Sequence, residues 1–141
     1  MSGRLPYVKR RKYPHLIQEE TDVWNRFVDK FPKRYKSVDY DFRVGNGQIP
    51  PEGYTKNYER MVTMLTQHRI DVLAWVGDYP TIIEVKNRAI LSTVGQLIGY
   101  RTLFEADFPN LEKPGLLCVC ASISDDVKMV FDVQGIPVEV V

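Results

Sequence analysis

Between Pro14 and Phe31 the apolar side chains fall at Leu16, Ile17, Val23, Trp24, Phe27, Val28 and Phe31, the spacing of one face of an α-helix. A step of about 100° per residue sets Glu20 near the middle of that apolar arc and Glu19 towards its edge. Glu20 is therefore expected to point inward, where a carboxylate needs a partner, a hydrogen bond or a metal to offset its lost hydration. From Tyr35 the pattern turns to alternation, with Val38, Tyr40, Phe42 and Val44 on one side of a half-buried strand and Asp39, Asp41 and Arg43 on the other. Gly45-Asn46-Gly47 ends that strand, and the chain through Pro50-Pro51 to Gly53 reads as a loop. Thr55 to Gln67 stays open: Tyr58, Met61, Val62 and Leu65 suit a short helix, whereas Met61 to Thr66 also suits an extended segment.

Ile70 to Val76 and Thr81 to Lys86 are short apolar runs separated by Gly77-Asp78-Tyr79-Pro80, which predicts a hairpin. A helix follows from Ser92 or Thr93 to Phe108, with a hydroxyl residue as its N-cap and Pro109 just beyond its end. Pro114-Gly115 opens a buried strand over Leu116 to Ile123, and Asp125-Asp126 turns the chain into a last strand region, Val127 to Val141, interrupted at Gln134-Gly135. The order predicts an α/β fold, a mixed central β-sheet flanked by helices.

Counting along the hairpin places chemistry on it. With Gly77 to Pro80 as the loop and Val76 opposite Thr81, Asp71 lies opposite Lys86 and diagonal to Glu84, on the face that also carries Leu73, Trp75 and Ile82. Opposed side chains start about 5 Å apart and diagonal ones about 7–8 Å apart, so both carboxylates are within reach of one divalent ion. Mg²⁺ favours such a ligand set of one or two carboxylates, a carbonyl, waters and a substrate phosphate, and the Val85 carbonyl is a candidate further ligand. Lys86 would orient an attacking water or offset developing negative charge. Glu-x-Lys alone is commonly a solvated pair on a strand. Asp71 inside an apolar strand and the inward Glu20 make it more than that.

At this point the sequence resembles a known family. Arg69-Ile70-Asp71-Val72-Leu73, a turn, and Ile82-Ile83-Glu84-Val85-Lys86 look like the signature of the PD-(D/E)XK nuclease superfamily, and Gly95-Gln96-Leu97-Ile98-Gly99-Tyr100 looks like the Q-x-x-x-Y element of its RecB-like branch. The resemblance implies a restriction-endonuclease-like core. It implies that Asp71 and Glu84 bind Mg²⁺ or Mn²⁺, that Lys86 is the catalytic lysine, and that Glu20 matches the acidic residue often contributed by the first helix. Gln96 would support the lysine or a metal-bound water, and Tyr100 would approach DNA. Ile70 stands where the family's name has proline, a position that varies widely. The resemblance also suggests a phage, mobile-element or repair nuclease, with a homodimer or a helicase or other replication or repair partner as companions.

Composition fits one domain and refines the partner. The 141 residues are 44% hydrophobic and 26% charged, enough for a single core over residues 14–141. Net charge is only +1, so the basic character is local: Lys9, Arg10, Arg11 and Lys12, between Tyr7 and Tyr13, form a basic N-terminal arm over residues 1–13 that is expected either to neutralise backbone phosphates or to be a solvated terminus. Cys118 and Cys120, in one apolar run, are expected to be buried reduced thiols, and neither an apolar leader nor a membrane-length apolar run is visible. An intracellular, cytoplasmic setting is the expectation. The leading expectation is a metal-dependent deoxyribonuclease; the alternatives are a catalytically silent nucleic-acid-binding or assembly protein with the same fold and a nuclease acting on RNA. His68, just before the Asp71 strand, is expected to be a surface histidine, with phosphate contact or acid catalysis as the other reading.

Overall fold

The computed structural model describes residues 2–48, 50 and 52–141. In chain order the elements are β1 (Leu5–Pro6), α1 (Gln18–Lys30), β2 (Ser37–Val44), α2 (Lys56–Thr66), β3 (His68–Val76), β4 (Tyr79–Ala89), α3 (Leu91–Asp107), β5 (Gly115–Ile123), α4 (Asp125–Val133) and β6 (Val138–Val140). The strands form one mixed sheet in the order β1-β2-β3-β4-β5-β6, antiparallel from β1 to β4 and parallel from β4 to β6. Parallel neighbours need a crossover, and α3 and α4 supply the two.

Each face of the sheet is covered, as the apolar patterns predict. Trp24, Phe27 and Val28 of α1 pack with Val72, Ala74, Ile83 and Val85 on one face. Leu97 and Phe104 of α3 and Phe131 of α4 pack with Leu73, Trp75 and Ile82 on the other. The N-terminal segment is tied down. Leu5 pairs with Val38, the Tyr7 hydroxyl donates to the Phe31 carbonyl at 2.8 Å, and both Tyr7 and Tyr13 are buried on the α1 side. Among the described residues no helix is long and apolar enough to cross a membrane.

Several expectations change. The first helix begins at Gln18 rather than Pro14, because the Glu20 carboxylate accepts the Ile17 N–H at 3.1 Å and caps it there. The open segment is the helix α2, with the Thr55 hydroxyl accepting the Tyr58 N–H; it buries none of its residues. α3 starts at Leu91, and its hydroxyl acts from inside the first turn, the Thr93 Oγ1 accepting the Ile90 N–H at 3.2 Å. The expected strand after Asp126 is mostly helix: Ser124 caps α4 at Val127, and Val127, Val130 and Phe131 pack at helical spacing.

β2 does not alternate as its sequence suggests. Val38 and Tyr40 belong to the α1 side, while Val44 and Phe42 pack on the α3 side. The switch falls at Asp41, whose φ of +53° lies in the left-handed region. β3 switches at the same level, with Ile70 on the α3 side and Val72 on the α1 side, and the pairs Tyr40↔Val72 and Phe42↔Ile70 flank Asp41 and Asp71. Asp39 is buried rather than solvent-facing; its carboxylate accepts the Trp75 indole N–H at 3.1 Å and pairs with Arg4 at 2.9 Å.

Candidate active site at the crimp in the sheet

The β3–β4 hairpin is tighter than the sequence count assumes. Val76 pairs with Tyr79 and Trp75 with Pro80, leaving Gly77-Asp78 as a two-residue loop with Gly77 at φ +57°. Continuing the register from Val72↔Ile83 sets Asp71 against Glu84, not Lys86. The slip is two residues, so the face assignment of Glu84 and Lys86 is unchanged.

The crimp lets Asp71 reach β4, where its carboxylate accepts the Val85 N–H at 2.9 Å. Glu84 is only 2% exposed. Its Oε2 lies 3.5 Å from the Lys86 ammonium, and its Oε1 has no hydrogen-bond partner among the described residues. Burial, and then the neighbouring Asp71 charge, push the Glu84 carboxyl well above the usual range, against the pull of Lys86. Burial also raises Asp71; the Val85 N–H and Lys86 oppose this, and Glu20 adds to it. Two acids thus share a pocket that resists their joint ionisation.

Glu20 stands nearby without joining them. It is half-buried and its carboxylate is engaged in capping α1, so the apolar arc places the residue correctly while the helix end occupies the group. Among the described residues no three or more His, Cys, Asp or Glu side chains converge as a metal-holding group. Two carboxylates, one with an unpartnered oxygen, suit a hard dication that keeps most of its waters and are too few for a structural zinc site. Cys118 and Cys120 are free and buried, and lie beside Glu84 and Lys86 on the neighbouring strand β5.

Gln96 and Tyr100, four apart on α3, face this site. Their side chains interact, and burial together with the Glu84 and Asp71 charges pushes the Tyr100 hydroxyl up to about 12. Both line an open groove of about 680 Å³ with His68, Gly95, Gly99 and Thr102. His68 is exposed, its ring centroid 6.4 Å from that of Tyr100. Arg10, Arg11 and Lys12 are exposed elsewhere: the Arg10 N–H donates to the Tyr13 hydroxyl at 2.7 Å and its carbonyl accepts from Asn25 of α1, which sets the basic segment on the α1 side of the sheet, opposite the groove.

Sequence reasoning missed a second cluster at the crimp. Asp41 Oδ2 lies 3.2 Å from His15 Nε2 and 3.7 Å from Arg69, and its Oδ1 is buried without a hydrogen-bond partner among the described residues. His15, at φ +62°, shares the left-handed backbone of Asp41. The signal was available as Asp41 standing opposite Asp71, but steady alternation along β2 hid it.

A mixed six-stranded sheet flanked by helices, with acidic residues at its crimp, is a restriction-endonuclease-like α/β fold. Among solved structures, the EndoMS-dsDNA2 complex superposes with a TM-score of 0.52 at 15% identity, over 94% of this chain and 48% of that one. A repair endonuclease from Pyrococcus abyssi matches with a TM-score of 0.49 at 14% identity, over 94% and 49%. The chain therefore spans about half the length of these structures, and the likeness is one of fold. No protein-family model matches the chain, and no curated protein matches it in sequence.

Proposed function

We propose that the chain is a Mg²⁺- or Mn²⁺-dependent nuclease that hydrolyses phosphodiester bonds in DNA. The observation that carries this reading is Glu84: a carboxylate 2% exposed, with one oxygen unpartnered and a second carboxylate beside it. Two adjacent buried acids are unfavourable when both are ionised, and a cation between them offsets that cost. The superposed EndoMS structure is a complex with double-stranded DNA, which favours DNA as the polymer.

Asp71 and Glu84, with the Val85 carbonyl, would hold the ion, and Glu20 would act on it from the end of α1. Such an ion polarises a phosphoryl oxygen and lowers the pKa of a bound water. Lys86, against Glu84, holds its ammonium where it orients the attacking water and offsets charge growing on the phosphoryl oxygens. Water's oxygen bonds to phosphorus and its proton passes to solvent, one ester P–O bond breaks, and the leaving alkoxide takes a proton from solvent. Tyr100 is protonated at physiological pH, as tyrosine ordinarily is, and its hydroxyl would serve as a donor to phosphate, steadied by Gln96.

The test is incubation of the protein with Mg²⁺ or Mn²⁺ and a panel of single-stranded, duplex, branched and circular DNA plus RNA, beside Asp71→Asn and Lys86→Ala. Cleavage that needs the metal and disappears in both variants is expected. Binding without cleavage in either metal would overturn the enzyme reading in favour of a silent nucleic-acid-binding domain, and cleavage of RNA alone would move the substrate.

A further inference from the structure

Gly95 and Gly99 lie one turn apart on α3, and neither is among the glycines with positive φ. A Cβ at either would meet nothing within 4 Å. Neither backbone conformation nor crowding calls for glycine, while alanine at both positions would hold the helix better. The pair leaves a strip of α3 bare of side chains, and that strip lines the groove of about 680 Å³.

The remaining lining says what the groove accepts. Gln96, Tyr100, Thr102 and His68 supply hydrogen-bonding groups and two rings, Leu103 adds an apolar wall, and among the described residues the lining includes no carboxylate, lysine or arginine. With no lysine or arginine charge in the groove, its hydroxyl, amide and ring groups suit a sugar and a base, with phosphate at its Tyr100 edge. Tyr100 of the lining feels the Glu84 and Asp71 charges, which sets its wall of the groove towards the carboxylate site. The groove's volume matches pockets that hold one small molecule, and rings in such a groove take an unpaired base by stacking.

We propose that this groove seats the nucleotide next to the cleaved phosphate in an unpaired strand, its sugar against the bare backbone at Gly95 and Gly99 and its base on His68 and Tyr100. The proposal rests on the nuclease reading and adds the form of substrate.

The experiment measures fluorescence anisotropy of a labelled single-stranded oligodeoxynucleotide and of the matching duplex, with EDTA present so that nothing is cut, on wild type, on the Gly95→Ala/Gly99→Ala double variant and on Gly99→Leu. Thermal melting runs in parallel. The double variant is expected to melt a few degrees higher yet bind the single strand at least about tenfold more weakly, with the duplex less affected; Gly99→Leu is expected to bind it more weakly still. With Mg²⁺ the loss is expected in KM rather than kcat. Single-strand binding within twofold of wild type, alongside the higher melting point, would overturn the groove while leaving the nuclease reading in place. Equal weakening for duplex would overturn the unpaired-strand assignment. A wild type that binds no oligonucleotide in EDTA would overturn the groove, and the cleavage assay with Mg²⁺ or Mn²⁺ decides the nuclease reading separately.

Discussion

Glu84→Gln tests the electrostatics of the buried acid pair without requiring any activity. Glu84 and Asp71 both have carboxyls raised above their ordinary range, burial being the first cause of each. Between the unfolded value, about 4, and the raised folded values, the native state holds more protons than the unfolded chain. Stability then falls as pH rises through that window. The metal-free protein is therefore expected to be more stable near about pH 5 than near about pH 8, each unit of raised pKa being worth about 1.4 kcal/mol above the window. Glutamine keeps the shape and removes the cost of holding that proton in the folded state. Lys86 loses its partner, but its side chain is 25% exposed and reaches water, so little is lost there. At about pH 8 in EDTA the variant is expected to gain roughly 1–4 kcal/mol, a rise of several degrees for a chain of this size, and its stability should fall less steeply with pH. Saturating Mg²⁺ is expected to reverse the order, raising wild type more than the variant, because a ligand stabilises only the state it binds. Urea melts at three pH values, with and without Mg²⁺, decide the matter. A flat pH dependence in metal-free wild type, or a variant less stable than wild type at about pH 8 in EDTA, would refute the reasoning.

Two further substitutions test the frame around the site. Phe131→Ala, at a fully buried position, is expected to cost about 3–5 kcal/mol in urea unfolding; a loss below about 1 kcal/mol would mean that α4 does not cover the sheet. Trp75→Phe removes the indole N–H from the buried Asp39 carboxylate while Arg4 remains, with an expected cost of about 1–3 kcal/mol, and an unchanged midpoint would show that Asp39 is satisfied without it.

The parts of the fold that the sequence announces are those where one period runs unbroken. α1 and α3 show their apolar faces, and β4 shows Glu84 and Lys86 on one face even from a register two residues out, because strand side chains repeat every two residues. The failures lie where that period breaks or where a cap and packing override it. β2 and β3 change face at Asp41 and Asp71, so a reading that extends one alternation through that point misplaces Phe42 and Val44 and overlooks the His15–Asp41–Arg69 cluster. Val127 to Val133 is rich in β-branched residues and reads as strand on propensity, yet the Ser124 cap and the packing of Phe131 make it helix, tertiary burial outweighing a weak preference. Glu20 is placed correctly by its arc, but arc position alone does not say that the carboxylate turns back to its own helix end.

The crimp itself is open to a test of sign. Asp41→Gly and Asp41→Ala both remove the carboxylate from His15 and Arg69 and both remove its unpartnered oxygen, so they differ in backbone alone. In an ordinary strand alanine is better than glycine by roughly 0.5–1 kcal/mol, since glycine has more freedom to lose. At φ +53° a Cβ meets the following carbonyl at a cost of about 1–2 kcal/mol, which glycine avoids. This steric cost exceeds the entropic one, so the glycine variant is expected to be the more stable by roughly 0.5–1 kcal/mol, measured as a difference in urea midpoint at equal slope. An alanine variant equal to or more stable than glycine would mean that β2 passes Asp41 in extended conformation. The face switch that brings Asp71 to β4 would then need another origin.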